Sequence, residues 1–296
     1  MFDVSGINGT VRNMRTLRTG KNDISRKGEM ISFEDKEMLG FWNSSASCNV
    51  IQGRDPGTLS VGLDKQKDLE LYFANMCRGM KFQYRKTVTH AGIESWRFLP
   101  AVETFHNPQD NPDNSCYCKG PTCLPSGVFD IGDGCKVKPP SPTLSPLTDP
   151  PCVQAHSPVY MSWPHFLHGD PVLRERVDGL EPARREDHEF YLDIEPQWGA
   201  TLSAHAAFQF NVLVDRNSYS GFENIEKKVV LPFLMLEEGV SGPNQIVSTK
   251  MEMLLTIADK VKNLMFLVLV TIGFICMLPE IVIWSKSCCC SNPGKQ

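Results

Sequence analysis

Strong charge of either sign is lacking in this sequence. Its 296 residues include 30 lysines and arginines against 34 aspartates and glutamates, and the formal net charge is −4. The basic residues are scattered along the chain, whereas nucleic-acid-binding proteins concentrate positive charge on one surface. The sequence therefore predicts that nucleic acid is not a partner.

Catalytic signatures are also missing. The chain has no Gly-x-Ser-x-Gly elbow and no phosphate-binding loop. Asp193 and Glu195 share one face of a predicted strand, as the paired carboxylates of a glycosidase would, and His165 with His168 would give a metal two ligands. Pro196 follows the two carboxylates and favours a structural role for them. The two histidines have no evident third ligand, which favours a structural role for them as well. We predict no enzyme, no catalytic residue, no metal and no cofactor.

The start of the chain lacks a targeting signal. Met1-Phe2-Asp3-Val4 does not begin a charged region followed by an apolar run, as a secretory signal would. Insertion through the tail late in synthesis is the alternative, but it would leave the bulk of the chain in the cytosol. We expect the chain to be the later part of a longer precursor.

One long apolar segment lies near the C-terminus. Leu264–Leu278 carries no charge, and after a two-residue interruption apolar residues continue to Trp284. A helix over 264–284 would be about 31 Å long, close to the roughly 30 Å of a bilayer's hydrocarbon core. A buried core helix would not end in tryptophan, lysine and then three adjacent cysteines. We predict a juxtamembrane helix over 251–263, a transmembrane helix over 264–284 and a cytoplasmic tail over 285–296.

Cysteines and glycosylation sites indicate the side of the membrane on which residues 1–250 lie. Asn8 and Asn43 each begin an Asn-x-Ser/Thr acceptor site. A cytosolic zinc module is the alternative, but the cysteine spacing lacks two clean Cys-x-x-Cys pairs, so disulfides are favoured. We predict a disulfide-bonded, glycosylated ectodomain over 1–250. Seven of the eleven cysteines precede the predicted span: Cys48, Cys77, Cys116, Cys118, Cys123, Cys135 and Cys152.

Short apolar runs separated by turn residues predict a mainly β fold in front of the helices. Apolar residues make up 41% of the chain and charged residues 22%, as is usual for a globular protein. Val137–Cys152 holds six prolines and is predicted to be an extended surface insertion. The predicted strands are 69–73, 81–88, 96–99, 159–163, 190–194, 201–214 and 228–236.

Three strings resemble the class B scavenger receptor family. They are Asn111–Cys118 (NPDNSCYC), Ser157–Leu167 (SPVYMSWPHFL) and Tyr191–Gly199 (YLDIEPQWG). The resemblance runs from about Arg18 to the tail. It implies an antiparallel β-barrel-like ectodomain with an apolar tunnel, held between two membrane spans, and this chain would correspond to the later half of that ectodomain with the second span.

The resemblance also implies disulfide pairs. Cys77 is expected to pair with the cysteine after a Gly-Val-Phe-Asp-Ile run, which is Cys135, but the proline-rich insertion and Cys152 follow, so Cys152 is an alternative partner. The remaining implied pairs are Cys48 with Cys116 and Cys118 with Cys123.

In function, the resemblance implies a receptor that binds and transfers lipids or lipoproteins at the cell surface. The expected partners are lipids, fatty acids or lipoproteins and the membrane itself, and homo-oligomers are allowed. A lysosomal sorting receptor of the same fold is one alternative, although the tail has no acidic dileucine motif. A membrane-anchored hydrolase is the other. The expected location is the plasma membrane, with the lysosomal membrane as the alternative.

The predicted tail begins with a cluster of cysteines. Thiols within a few residues of the cytosolic face of a membrane are commonly acylated. We therefore predict palmitoylation of Cys288, Cys289 and Cys290.

Overall fold

A computed structural model describes residues 14–42, 46–118, 122–131, 159–216, 225, 228–242 and 245–289. The chain divides into two compact units, one formed by Met1–His90 and Glu94–Gly242, the other by Ala91–Ile93 and Pro243–Gln296. Five of the predicted sites lie outside the described residues: Asn8, Asn43, Cys135, Cys152 and Cys290.

The first unit is mainly β, as predicted. Each of the seven predicted strands overlaps an observed one, and 69–73 matches its strand at both ends. Among its described residues, three α-helices of one turn accompany the strands: α1 (Ala46–Asn49), α2 (Val172–Glu175) and α3 (Arg185–His188). The described strands are β1 (Arg15–Leu17), β2 (Met30–Phe33), β3 (Leu69–Phe73), β4 (Arg78–His90), β5 (Ile93–Pro100), β6 (Phe129–Asp130), β7 (Val159–Ser162), β8 (Tyr191–Glu195), β9 (Ala200–Val214) and β10 (Val229–Val240).

Eight of the described strands form one antiparallel sheet. Its order is β3-β4-β5-β8-β9-β7-β6, and β10 pairs with the other edge of β9. The prediction of a barrel is wrong for the described residues, because β3 and β6 stand at the two ends of this path and do not pair with each other. The sheet is open, and β9 is long enough to pair with β8 along its first part and β7 along its second.

Proline sets the register of the last strand pair. Pro232 has no backbone N–H to donate, and the pairing of β10 with β9 shifts between Pro232 and Leu234. Phe233 is the extra residue of this bulge, and its side chain is 56% exposed.

The core of the first unit consists of two hydrophobic clusters. The larger one contains most of the buried aromatic rings, including Phe105, Phe129 and Trp163, whose rings stack or tilt against one another at 4.7–5.5 Å. The smaller cluster has four buried members: Val128, Phe166, Leu173 and Val230.

The second unit is dominated by one helix, α4 (Gln245–Cys289), which contains both the predicted juxtamembrane segment and the predicted span. Among the described residues, no helix combines the length and the apolarity that crossing a membrane requires. The span over 264–284 stays a prediction.

Candidate functional site

A cavity of about 460 Å³ is lined by residues of both hydrophobic clusters. The larger cluster contributes Phe105 and Phe129, and the smaller one contributes Val128, Leu173 and Val230. Protein sites for small molecules typically enclose about 300–1,000 Å³ and have mostly apolar walls. The cavity therefore has the size and the lining of a small-molecule site.

One disulfide borders this cavity, and a second is found elsewhere in the same unit. Cys118 is bonded to Cys123 across a Cα separation of 5.5 Å, and both residues line the cavity. Cys48 is bonded to Cys116 across 6.0 Å. These are pairs that the resemblance implies. Cys77 is disulfide-bonded as well.

The string Asn-Pro-Asp-Asn-Ser-Cys contributes one side chain, Asn114, to the lining of the cavity. The side chain of Asn111 caps a 3₁₀ helix over Pro112–Tyr117 by accepting a hydrogen bond from the backbone N–H of Asp113. Pro112 takes the first position of this helix, where proline is favoured. The turn directs Asn114 inward, where it is buried. Its amide donates to three backbone carbonyls of the neighbouring loop: Glu103, Thr104 and His106.

Arg78 is the most unusual residue of the lining, because it is a buried charge with only neutral partners. Its side chain is 5% exposed. Nη2 donates to the carbonyl of Thr104 and, at 2.7 Å, to the side-chain oxygen of Asn114. Nε is buried and has no hydrogen-bond partner among the described residues. Burial lowers the pKa of Arg78 to about 10, so the guanidinium remains charged at neutral pH.

Aromatic rings surround this guanidinium. Its central carbon lies 4.1 Å from the ring centroid of Tyr117, 4.8 Å from that of Phe129 and 5.7 Å from that of Phe105. A desolvated cation–π contact contributes about 2 kcal/mol, whereas burying an ion costs several kcal/mol. The three rings together therefore offset a large part of the cost of burying Arg78.

Sequence reasoning missed Arg78, although a signal was present. Side chains alternate along a strand, and the buried face of β4 carries Arg78, Met80 and Phe82 while Lys81 and Gln83 point to solvent. Extending the predicted strand over 81–88 back to Cys77 would have placed an arginine on the core face.

The two carboxylates of the hydrolase hypothesis have structural contacts. Asp193 is fully buried and receives hydrogen bonds of 2.7 Å from Nε and Nη2 of Arg97, with His90 at 2.8 Å. Glu195 accepts backbone N–H groups of Gln197 and Trp198 at 2.9 and 2.8 Å, which holds the turn between β8 and β9. The oxygens of both side chains are occupied.

The two histidines of the metal hypothesis point to different neighbours. The ring of His165 stacks on His188 with centroids 4.3 Å apart, and Nε2 of His168 lies 3.4 Å from a carboxylate oxygen of Glu189. Burial and the neighbouring His165 lower the pKa of His188. Within the described ranges, no three metal-ligating side chains come together.

Fold and site define a class: a disulfide-bonded, antiparallel β protein with a ligand-sized cavity beside its core. The model of the CD36 family matches residues 2–284, and the chain belongs to that family. This membership confirms the resemblance to class B scavenger receptors.

Curated relatives match the chain over most of its length. It is 29% identical to protein peste of Drosophila melanogaster over 229 residues, which is 77% of this chain and 37% of that protein. Sensory neuron membrane protein 1 of Manduca sexta is 30% identical over 76% of this chain and 38% of its own length. The same protein of Ostrinia nubilalis is 26% identical over 95% and 49%. The chain thus spans half or less of the length of these relatives.

Proposed function

We propose that this chain is the lipid-binding part of a scavenger-type receptor, and that the cavity holds the lipid. The observation that supports this proposal most directly is a cavity of about 460 Å³, lined by residues of both hydrophobic clusters, in a protein of the CD36 family. A lipid chain is stabilised by contact with apolar side chains, and Phe105, Leu173 and Val230 of the lining supply them.

We place this receptor at the plasma membrane with the span at 264–284. Support comes from the apolar side chains of α4, which are largely exposed: Phe266 is 70% and Phe274 72% exposed. Exposed apolar surface on this scale marks a contact with protein or membrane. Glycosylation at Asn8 and Asn43 and acylation of Cys288–Cys290 belong to the same proposal.

A receptor fits the site better than a hydrolase. Asp193 is engaged by Arg97 and His90, and both oxygens of Glu195 accept backbone N–H groups, so neither carboxylate faces the cavity as a free acid or base. No observation favours lysosomal sorting.

The test fills the cavity with a larger side chain. Leu213 lines the cavity, and Leu213→Trp places a larger side chain there and is expected to narrow it. The full chain, in membranes of expressing cells, would be exposed to photoreactive analogues of a long-chain fatty acid, its methyl ester and cholesterol. We expect at least one probe to label peptides of the cavity wall, and Leu213→Trp to reduce that labelling.

Leu234→Trp is the matched control, because Leu234 is 48% exposed on β10 and does not line the cavity. This control should label as the unmodified protein does, and both variants should reach the cell surface equally. Labelling of no cavity peptide by any probe would refute the proposed function.

A further inference from the structure

Histidines concentrate around one segment of the first unit. This segment runs over 181–189 and contains the one-turn helix α3. Histidine is the side chain whose ordinary pKa lies nearest to physiological pH. The segment is therefore attached through side chains of the type that gains a proton in mild acid. Four of the seven histidines of the chain lie in the segment or contact it: His165, His168, His188 and His205.

The hydrogen bond of His188 requires a neutral ring. Its Nδ1 lies 3.1 Å from the backbone nitrogen of Arg184. A backbone N–H can only donate, so Nδ1 of His188 is the acceptor and carries no proton. The side chain is 7% exposed. Protonation would place two donors against each other at a buried position, and it therefore opposes the closed turn of α3.

His165 adds a second ring at the same point. It stacks on His188 with centroids 4.3 Å apart and 13° between the ring planes. Nδ1 of His165 donates to the backbone carbonyl of Glu181 at 3.0 Å, which joins the start of the segment to the 3₁₀ turn over Pro164–Phe166. Two protonated rings in this stack would repel each other.

The charged groups that face His188 act in both directions. Asp187 and Glu237 favour its protonated form, but both are exposed, whereas Arg184 and His165 disfavour it. Burial, the largest effect, and His165 lower the pKa of His188 from the ordinary 6.5. The closed segment thus binds this proton less readily than the open one. Its stability is complete above pH 6.5 and is lost as the pH falls from 6.5 through the lowered pKa.

The stretch that carries His165 has a strained backbone. His165, Phe166 and His168 have φ values of 50°, 52° and 61°, in the left-handed region that residues other than glycine rarely adopt. Such a backbone persists only where surrounding contacts hold it. The contacts of His165 with Glu181 and His188 are among those that do so.

We infer that residues 181–188 form a pH-sensitive latch, which is closed against His165 at neutral pH and opens in mild acid. The end of the segment stays attached, because Nε2 of His168 lies 3.4 Å from a carboxylate oxygen of Glu189 and the two form an ion pair when His168 is protonated. The latch does not depend on what the cavity binds. It gives the protein one surface at neutral pH and another in an acidic compartment.

Hydrogen–deuterium exchange of the full chain in membranes, read by mass spectrometry, tests the latch at about pH 7.5 and about pH 5.5. Unfolded peptides of the same sequence correct for the effect of pH on intrinsic exchange. We expect the protection of backbone amides over 181–188 to fall about fivefold in acid, the factor that corresponds to the loss of one net hydrogen bond. Protection of β3, which carries no histidine, should stay the same.

His188→Asn should remove the response, because an asparagine oxygen can accept from Arg184 and does not titrate. His165→Asn should reduce it, and asparagine tolerates the left-handed backbone of this position. His168→Gln is the matched control from the same strained stretch. It leaves the contact between His165 and His188 in place, so its latch should still open in acid.

Equal protection of 181–188 at the two pH values in the unmodified protein overturns the inference, and this comparison needs no variant. A response that persists in both His188→Asn and His165→Asn assigns the opening to other groups and overturns it as well. Equal loss of protection in β3 would show general unfolding in place of a latch, with the same consequence. Lipid labelling of the cavity is a separate measurement, so the proposed function is tested independently.

Discussion

Arg97→Met tests whether the buried ion pair stabilises the sheet. Arg97 and Asp193 are directly opposite each other on β5 and β8, joined by two hydrogen bonds of 2.7 Å, and Asp193 is fully buried. This hydrogen bonding raises the pKa of Arg97. Removing one partner of a buried pair typically costs about 3–5 kcal/mol. Because His90 still contacts Asp193 at 2.8 Å, we expect the lower end, about 3 kcal/mol.

Urea unfolding followed by tryptophan fluorescence, with the disulfides intact, measures this cost. Arg85→Met, an exposed arginine on β4, should stay within about 0.5 kcal/mol of the unmodified protein. The double variant Arg97→Met with Asp193→Leu should be more stable than Arg97→Met, because no buried carboxylate is left unpaired. A loss below about 1 kcal/mol for Arg97→Met, or additive losses in the double variant, would contradict the reasoning.

Two further predictions concern covalent and backbone constraints, and urea unfolding measures both. Replacing Cys48 and Cys116 together by alanine should cost about 4 kcal/mol in the chain-entropy model, since the pair closes a loop of sequence separation 68; no loss would refute the disulfide. Gly199→Ala should cost clearly more than Gly62→Ala. Both glycines have a positive φ, but a Cβ at Gly199 would lie 2.2 Å from the carbonyl oxygen of Ser60, whereas nothing lies within 4 Å at Gly62. Equal losses would contradict this contact.

Periodicity predicted the strands because alternation is a local property. The predicted strand over 69–73 has the same ends as β3, and the predicted strand over 201–214 is one residue shorter than β9. The barrel-like arrangement that the resemblance implied is not found among the described residues, because closure depends on whether β3 and β6 meet, and these strands are distant in sequence.

The sequence by itself determined the family, the mainly β class and the cysteines that border the site, because each of these can be recognised from short stretches of consecutive residues. Tertiary structure decided what surrounds Arg78. Its neutral partners and its aromatic rings come from three separate segments: one around 104, one from Asn114 to Tyr117 and one around 129. Burial of a charge depends on how distant segments pack, and residue order along the chain does not show that packing. The local pattern places an arginine on the core face of a strand, and only the fold shows that no acid meets it there among the described residues.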